Sequence, residues 1–334
     1  MSVKILIVGP AWVGDMMMVQ VLFKLLHQQN PNCELHVLAP KWSEALLSRM
    51  PEVKKSIVLP FSHGQLQLKK RFQFAKQLRA EKYDQAIVLP NSLKSALIPY
   101  WANIPKRTGW IGEYRFGLLN DARRLNKKLF PKMIDRFAAL AFPCNTLLPA
   151  NLPIPSLQIK KENIDVALQQ YDLISSAKNK ILALCPGAEF GPSKCWPAKY
   201  YAQVANQKLN EGWSVWIFGS ANDRVIAEEI QMRTERRCTN LAGKTVLSDA
   251  VDLLSLATVV VTNDSGLMHI AAALDRNVIA IYGSTSPDFT PPLSDKAKIL
   301  KLNLDCQPCF QRQCPLKHHN CMKLLLPAMV LENF

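Results

Sequence analysis

The 334-residue chain has no apolar run long enough to cross a bilayer, although 49% of its residues are hydrophobic. That excludes an integral membrane protein built on helices and predicts a soluble globular one. The first eight residues, MSVKILIV, lead straight into a turn and have neither a basic n-region nor a small-residue cleavage site, so a cytoplasmic location is expected. Nine cysteines in a chain of this length are not the framework of a secreted disulfide-rich protein. Acidic residues are the scarce charge: 26 Asp and Glu stand against 41 Lys and Arg, a formal net charge of +15. Such a balance points to an anionic partner, whether nucleic acid, an anionic membrane surface or a phosphorylated substrate. Several chemical signatures are missing as well. The turn Gly9-Pro10-Ala11-Trp12-Val13-Gly14-Asp15 lacks the Lys-Ser or Lys-Thr ending of a P-loop and is not a dinucleotide fingerprint. No G-x-S-x-G elbow accompanies Asp264, Ser265 and His269, which excludes a hydrolase triad there.

What is present is an alternation of strand and helix patterns, repeated twice. In the first half, strands are predicted at 4–8, 35–38, 56–59 and 84–89, with helices at 15–29, 42–49 and 65–82. A proline cluster, FPCNTLLPANLPIP at 142–155, marks a semi-rigid connector and the domain boundary, giving domains 1–155 and 156–334. The second half is predicted to run helix 161–171, strand 181–185, helix 197–210, strand 214–218, and helices 222–234 and 247–257. It ends on a strand–helix–strand unit at 259–282. The expected class is α/β, with parallel sheets covered by helices on both faces.

The last unit organises the second half. The β-branched run 259–262 gives way to Asn263-Asp264-Ser265-Gly266 and an Ala-rich helix, and a second apolar run ends in Gly283-Ser284-Thr285-Ser286. Small polar residues therefore stand where strands finish, and helix N-termini there favour negative charge. His269 falls one turn after Ser265, so both can face a ligand, or His269 is a buried structural residue. The turn at 186–194, PGAEFGPSK, allows close backbone approach through its glycines, and Lys194 is placed to reach a diphosphate. Asp223, in the turn Phe218-Gly219-Ser220-Ala221-Asn222-Asp223, bonds a ribose hydroxyl or caps the following helix. Asp15, after two glycines at a strand's end, is a helix cap or a catalytic carboxylate.

Two basic stretches need a purpose. In residues 65–82, Leu68, Phe72, Ala75 and Leu78 form an apolar face surrounded by Lys69, Lys70, Arg71, Lys76 and Arg79, as in a solvated helix or one lying on a membrane surface. Residues 104–128 read as a Gly-punctuated loop that interleaves Arg and Lys with Trp110, Tyr114 and Phe116, suited to an anionic sugar, a lipid phosphate or single-stranded nucleic acid. Of the cysteines, Cys33, Cys144, Cys185, Cys195 and Cys238 are scattered and fit small core positions. Cys306-x2-Cys309-x4-Cys314-x6-Cys321 is spaced as a zinc site could be, with redox sensitivity or simple packing as alternatives.

Six segments together resemble the bacterial lipopolysaccharide heptosyltransferases, inverting enzymes of the GT-B type. They are GPAWVGDMMM at 9–18, VLPNSLKSAL at 88–97, IPKRTGW at 104–110, CPGAEFGPSKCWP at 185–197, TNDSGLMHIAAAL at 262–274 and YGSTSPDFTPPLS at 282–294. The resemblance implies two Rossmann-like domains facing each other across a cleft, an acceptor-binding one at 1–155 and a donor-binding one at 156–334. It implies transfer of L-glycero-D-manno-heptose from ADP-L-glycero-D-manno-heptose onto the inner core of lipopolysaccharide, as the first heptose on lipid A. Asp15 is then the general base and Lys194 contacts the donor diphosphate. Asp264, Ser265, Gly266 and His269 hold diphosphate and sugar, Glu189 and Phe190 lie against the nucleotide, and Asp223 meets the adenosine ribose. No metal or other cofactor is required. The implied partners are the nucleotide-sugar donor, the anionic lipid A–core acceptor and the cytoplasmic face of the inner membrane, without nucleic acid. Competing readings are another GT-B enzyme such as a nucleotide-sugar epimerase, and a basic nucleic-acid-binding protein.

Overall fold

A computed structural model describes residues 3–61 and 66–334. The chain divides into two compact units, Met1–Pro155 and Ser156–Phe334. Each contains one six-stranded sheet in which every pairing is parallel.

In the first unit the strands are β1 (Lys4–Val8), β2 (Glu34–Ala39), β3 (Val53–Val58), β4 (Gln85–Val88), β5 (Lys106–Trp110) and β6 (Asp121–Arg123). They lie in the order β3-β2-β1-β4-β5-β6. The second unit has β7 (Ile181–Cys185), β8 (Ser214–Ile217), β9 (Thr239–Asn240), β10 (Val259–Asn263), β11 (Asn277–Tyr282) and β12 (Ala297–Lys301), in the order β12-β11-β10-β7-β8-β9. Counted from each unit's own first strand, both orders are 3-2-1-4-5-6, the Rossmann arrangement. The central strands are buried on both faces, as parallel sheets require: Leu6, Ile7, Val37, Ile87, Leu182, Leu184, Val260 and Ile281 are all fully inaccessible. No helix among the described residues is long and apolar enough to cross a membrane.

Three local readings change. The predicted helix 15–29 is two helices, Val13–Met18 and Gln20–Gln29, which meet at Val19. Residues 104–128 are not a loop, for they contain β5 and β6. Three of their arginines turn inward to satisfy backbone carbonyls: Arg107 Nε bonds Leu118 O at 2.7 Å, and Arg123 Nη1 bonds Phe142 O at 2.6 Å. Arg115 is buried, bonding Pro90 O at 2.6 Å and the carbonyl of Trp110. The period of β5 and β6 is masked because a buried arginine reads as polar in the pattern. The helix expected at 65–82 runs Leu68–Leu78, and residue 65 lies outside the described residues. Its inner face carries Arg71, Ala75 and Leu78, while Leu68 and Phe72 are exposed. Arg71 can replace a hydrophobe because its guanidinium lies over the Phe61 ring at 4.5 Å and its Nε bonds Leu66 O at 2.6 Å.

Candidate functional site

In a sheet of this order the strand direction of growth reverses between the first and fourth strands, and ligands bind beyond the carboxyl ends at that point. In the second unit those strands are β7 and β10, which pair through Thr262 and Cys185. Asn263 closes the two ends together. It is fully buried; its Oδ1 accepts from Trp196 N at 3.1 Å and Tyr201 Oη at 3.0 Å, and its Nδ2 donates to Pro186 O at 2.6 Å. In sequence Asn263 reads as an ordinary turn residue. The available signal was an amide at the last position of a buried strand, where burial demands partners.

The turn that leaves β7 carries Lys194 back over the end of β10. Lys194 Nζ donates to Asp264 Oδ2 at 2.6 Å and to Asp264 O at 3.2 Å. Thr285 Oγ1, from the turn after β11, donates to the same Oδ2 at 2.6 Å. The Asp264 side chain is 4% exposed and that of Lys194 13%, so a largely desolvated ion pair holds the ammonium in one place. An ammonium has three protons, and two have these partners. Phe190 lies between cations, 5.0 Å from Lys194 Nζ and 5.6 Å from the Arg312 guanidinium. Arg312 was missed, having no motif that marks it in the sequence, and Thr285 stands in the segment 282–294 without a role of its own assigned there. Glu189 is exposed, with Oε2 3.5 Å from Asn222 Nδ2. Asp223 fills the capping alternative: its Oδ2 accepts from Ser220 N at 2.7 Å and Ser220 Oγ at 2.8 Å, at the entry to helix Arg224–Arg233. It also packs against the first turn, since a Cβ on Gly187 would collide with its carboxylate.

Ser265 is the extended N-cap of helix Gly266–Ala273 and is half-buried, its Oγ 3.4 Å from Thr262 Oγ1. Gly266 is the first helical residue, so its N–H is among those that the helix leaves unpaired. His269, one turn on, is only 6% exposed, and its Nδ1 has no hydrogen-bond partner. Burial pushes its pKa down to about 4; Asp264 opposes this and Lys194 reinforces it as smaller effects. The ring is neutral at pH 7.

The first unit's reversal point lies between β1 and β4. Gly9 leaves β1 with its N–H on Leu38 O at 2.9 Å, and Trp12, extended at φ −112°, is the N-cap of helix Val13–Met18. Asp15 is therefore the third helical residue rather than the cap. It is half-buried in the first turn, where the helix dipole favours an anion. Met16, Met17 and Met18 behind it are fully buried.

Of the scattered cysteines, Cys33, Cys185 and Cys238 are buried, Cys195 is half-buried and Cys144 exposed. The Cys-rich tail braces the turn that carries Lys194. Ser193 N donates to Arg312 O at 3.2 Å, Ser193 Oγ donates to Gln311 O at 2.5 Å, and His319 Nε2 is 3.0 Å from Ser193 O. Gly191 permits this contact because a Cβ there would stand 2.6 Å from Arg312 O.

A nucleotide diphosphate fits the second arrangement, with an immobilised cation, helix N–H groups and an aromatic face at one reversal point. The glycosyltransferase family 9 (heptosyltransferase) description matches residues 71–320. Lipopolysaccharide heptosyltransferase 2 of Salmonella typhimurium is 46% identical, over 98% of this chain and 97% of that protein. Lipooligosaccharide heptosyltransferase 2 of Haemophilus influenzae is 50% identical, over 90% of this chain and 88% of its own length. The structure of the ADP-heptose lipopolysaccharide heptosyltransferase II of E. coli superposes with a TM-score of 0.89 at 44% identity, covering 99% of this chain and 97% of that one. With its two Rossmann-type domains of GT-B class, the chain belongs to glycosyltransferase family 9, the heptosyltransferases, and is a glycosyltransferase.

Proposed function

We propose that the protein transfers L-glycero-D-manno-heptose from the ADP-activated sugar to the inner core of lipopolysaccharide. The observation that carries the reading is the Lys194–Asp264 pair at the reversal point of the second sheet. There Lys194, with the N–H groups of Ser265 and Gly266, stabilises the charge that grows on the departing diphosphate. Asp264 orients the lysine. Phe190 and Glu189 lie along the nucleotide, and Asp223 stands at the ribose. The neutral His269 offers its unpaired ring nitrogen to the sugar or diphosphate. Residues 156–334 are thus the donor domain and 1–155 the acceptor domain.

Inversion needs an acceptor hydroxyl to attack the anomeric carbon opposite ADP while one carboxylate takes its proton. Asp15 has that role, standing in a helix's first turn where the dipole favours a carboxylate. No covalent enzyme intermediate is involved, and the assigned groups act without a metal. The relatives' names carry the numeral 2. That favours an acceptor already bearing one heptose over the first addition expected from the sequence. The protein works at the cytoplasmic face of the inner membrane, where exposed Leu68 and Phe72 beside Lys69, Lys70 and Lys76 suit an anionic lipid surface. Nucleic acid is not taken as a partner, since Arg107, Arg115 and Arg123 are committed to backbone carbonyls.

Purified protein incubated with ADP-heptose and lipid A–core acceptors carrying none or one heptose tests the reading. Release of ADP with one heptose added to the mono-heptosylated acceptor is expected. Transfer only to the heptose-free acceptor overturns the acceptor assignment, and transfer to neither overturns the function.

A further inference from the structure

At the end of the first sheet opposite the turn that carries Asp15, a cavity of about 450 Å³ lies against the starts of β1, β4, β5 and β6 and the segment 140–144. That is the size of a small-molecule site, far beyond the voids that packing leaves inside a protein. Ile5, Leu26, Leu140 and Phe142 make one wall apolar, and Gln85, Lys106, Asp121 and Arg123 supply polar groups. The polar side is fixed within the chain itself. Arg123, 5% exposed, donates from Nε to Asp121 Oδ1 at 3.0 Å, from Nη2 to Asp121 Oδ2 at 2.7 Å, and from Nη1 to Ala139 O at 3.0 Å and Phe142 O at 2.6 Å. A guanidinium has five N–H groups, so one on Nη2 remains. Thr108 Oγ1 donates to the same Asp121 Oδ2 at 2.9 Å and accepts from Gln85 Nε2 at 2.9 Å. Arg123 and Asp121 cancel in charge. Lys106 is exposed, and among the described residues its Nζ has no hydrogen-bond or ion-pair partner. With two cations against one carboxylate, the lining carries one net positive charge beside an apolar wall.

We propose that this cavity is a binding site for a small amphipathic carboxylate, whose anion pairs with Lys106 and the remaining Arg123 N–H while an aryl or acyl body covers the apolar wall. The lining selects on both counts. Burying the body removes apolar surface from water, and the flanking wall keeps solvent from the ion pair, which strengthens it relative to one at an open surface. A ligand cation meets Lys106 as a like charge, and a neutral amide of the same shape forgoes the pairing. Asp121 is already taken by Arg123 and Thr108, so it leaves the ammonium to a ligand. Between this cavity and the turn of Asp15 runs the length of β1, five residues or about 17 Å. The site is therefore separate from the proposed proton-transfer end of the sheet, and it stands whether or not the function proposed above holds.

The probe is 2-naphthoate, followed by its own fluorescence in a titration of the full-length protein. Saturable binding of about one molecule per chain is expected, roughly tenfold or more tighter than that of the neutral 2-naphthamide. Lys106→Met keeps the side chain's stem and removes its charge, and should weaken naphthoate by about tenfold or more with circular dichroism unchanged. Cys144, exposed at the cavity, gives an independent readout. Saturating naphthoate should slow its alkylation by iodoacetamide, measured by peptide mass spectrometry, and leave that of Cys306 unaltered. Excess ADP should not displace the probe. Absence of saturable binding overturns the proposal, as does equal affinity for the amide, undiminished binding by folded Lys106→Met, or a Cys144 that naphthoate does not protect. Displacement by ADP would assign the probe to the nucleotide site and overturn it equally.

Discussion

The two sheets share one strand order, yet their reversal points are made of different materials. Beyond β7 and β10, polar side chains bond one another across the gap: Lys194 to Asp264, Thr285 to Asp264, and Asn263 to Trp196, Tyr201 and Pro186. Beyond β1, the turn rests on apolar mass, with Met16, Met17 and Met18 sealed beneath a half-buried Asp15. A domain that must stabilise a diphosphate benefits from dipoles fixed before the ligand arrives, because nothing then needs to reorganise during the reaction. A domain that supplies one proton acceptor needs only to hold a carboxylate in place. The difference in construction suits the proposed division of labour between donor binding and proton transfer.

Substitutions on the two sides should therefore fail differently. The largest effect is expected from Asp15→Ala, which should lower turnover about 10²–10⁴-fold, the range for a lost general base. Steady-state rates with saturating donor measure this; near-normal turnover removes Asp15 from its role. Next comes Lys194→Ala, which should weaken ADP by roughly 10–100-fold through loss of charge-assisted bonds. It should also lower the melting temperature, because Asp264 is left buried without its counter-charge. Asn263→Ala should destabilise the second domain by about 2–4 kcal/mol, given the buried donors and acceptors it strands. Denaturant titration would read that as a shift in midpoint, and a shift within error would mean that Asn263 does not tie the strand ends.

The smallest effect is a pH dependence. The folded pKa of His269, about 4, lies below the ordinary value of 6.5. Between those values the unfolded chain binds the additional proton, so stability falls as pH drops through the window and is level above it. The loss reaches at most about 3 kcal/mol at pH 4. His269→Gln should flatten that part of the stability profile, and an unchanged slope would assign it to other groups.

Much of this was legible in the sequence because parallel strands advertise themselves. The β-branched runs at β10 and β11 and the Gly-bearing turns after β1, β7 and β10 are local signals, and the candidate site residues stand at the strand ends. What stayed hidden depends on partners distant in the chain. Arg115 and Arg71 are charged yet buried, which no periodicity reveals, and so β5 and β6 read as a loop and, on the helix Leu68–Leu78, Arg71 rather than Leu68 or Phe72 joins Ala75 and Leu78 inside. The Asp264–Thr285 bond and the approach of Arg312 to Phe190 likewise join separate turns. Asp223 left two roles open in sequence, and one of its oxygens, Oδ2, serves the capping box with Ser220.

On the proposed reading the second domain binds the nucleotide and the first supplies the base. Calorimetric titration of ADP into wild type, Asp15→Ala and Lys194→Ala tests it directly. The claim predicts an affinity within about twofold of wild type for Asp15→Ala and a loss of roughly tenfold or more for Lys194→Ala. Equal affinity in Lys194→Ala, or a loss confined to Asp15→Ala, would contradict it.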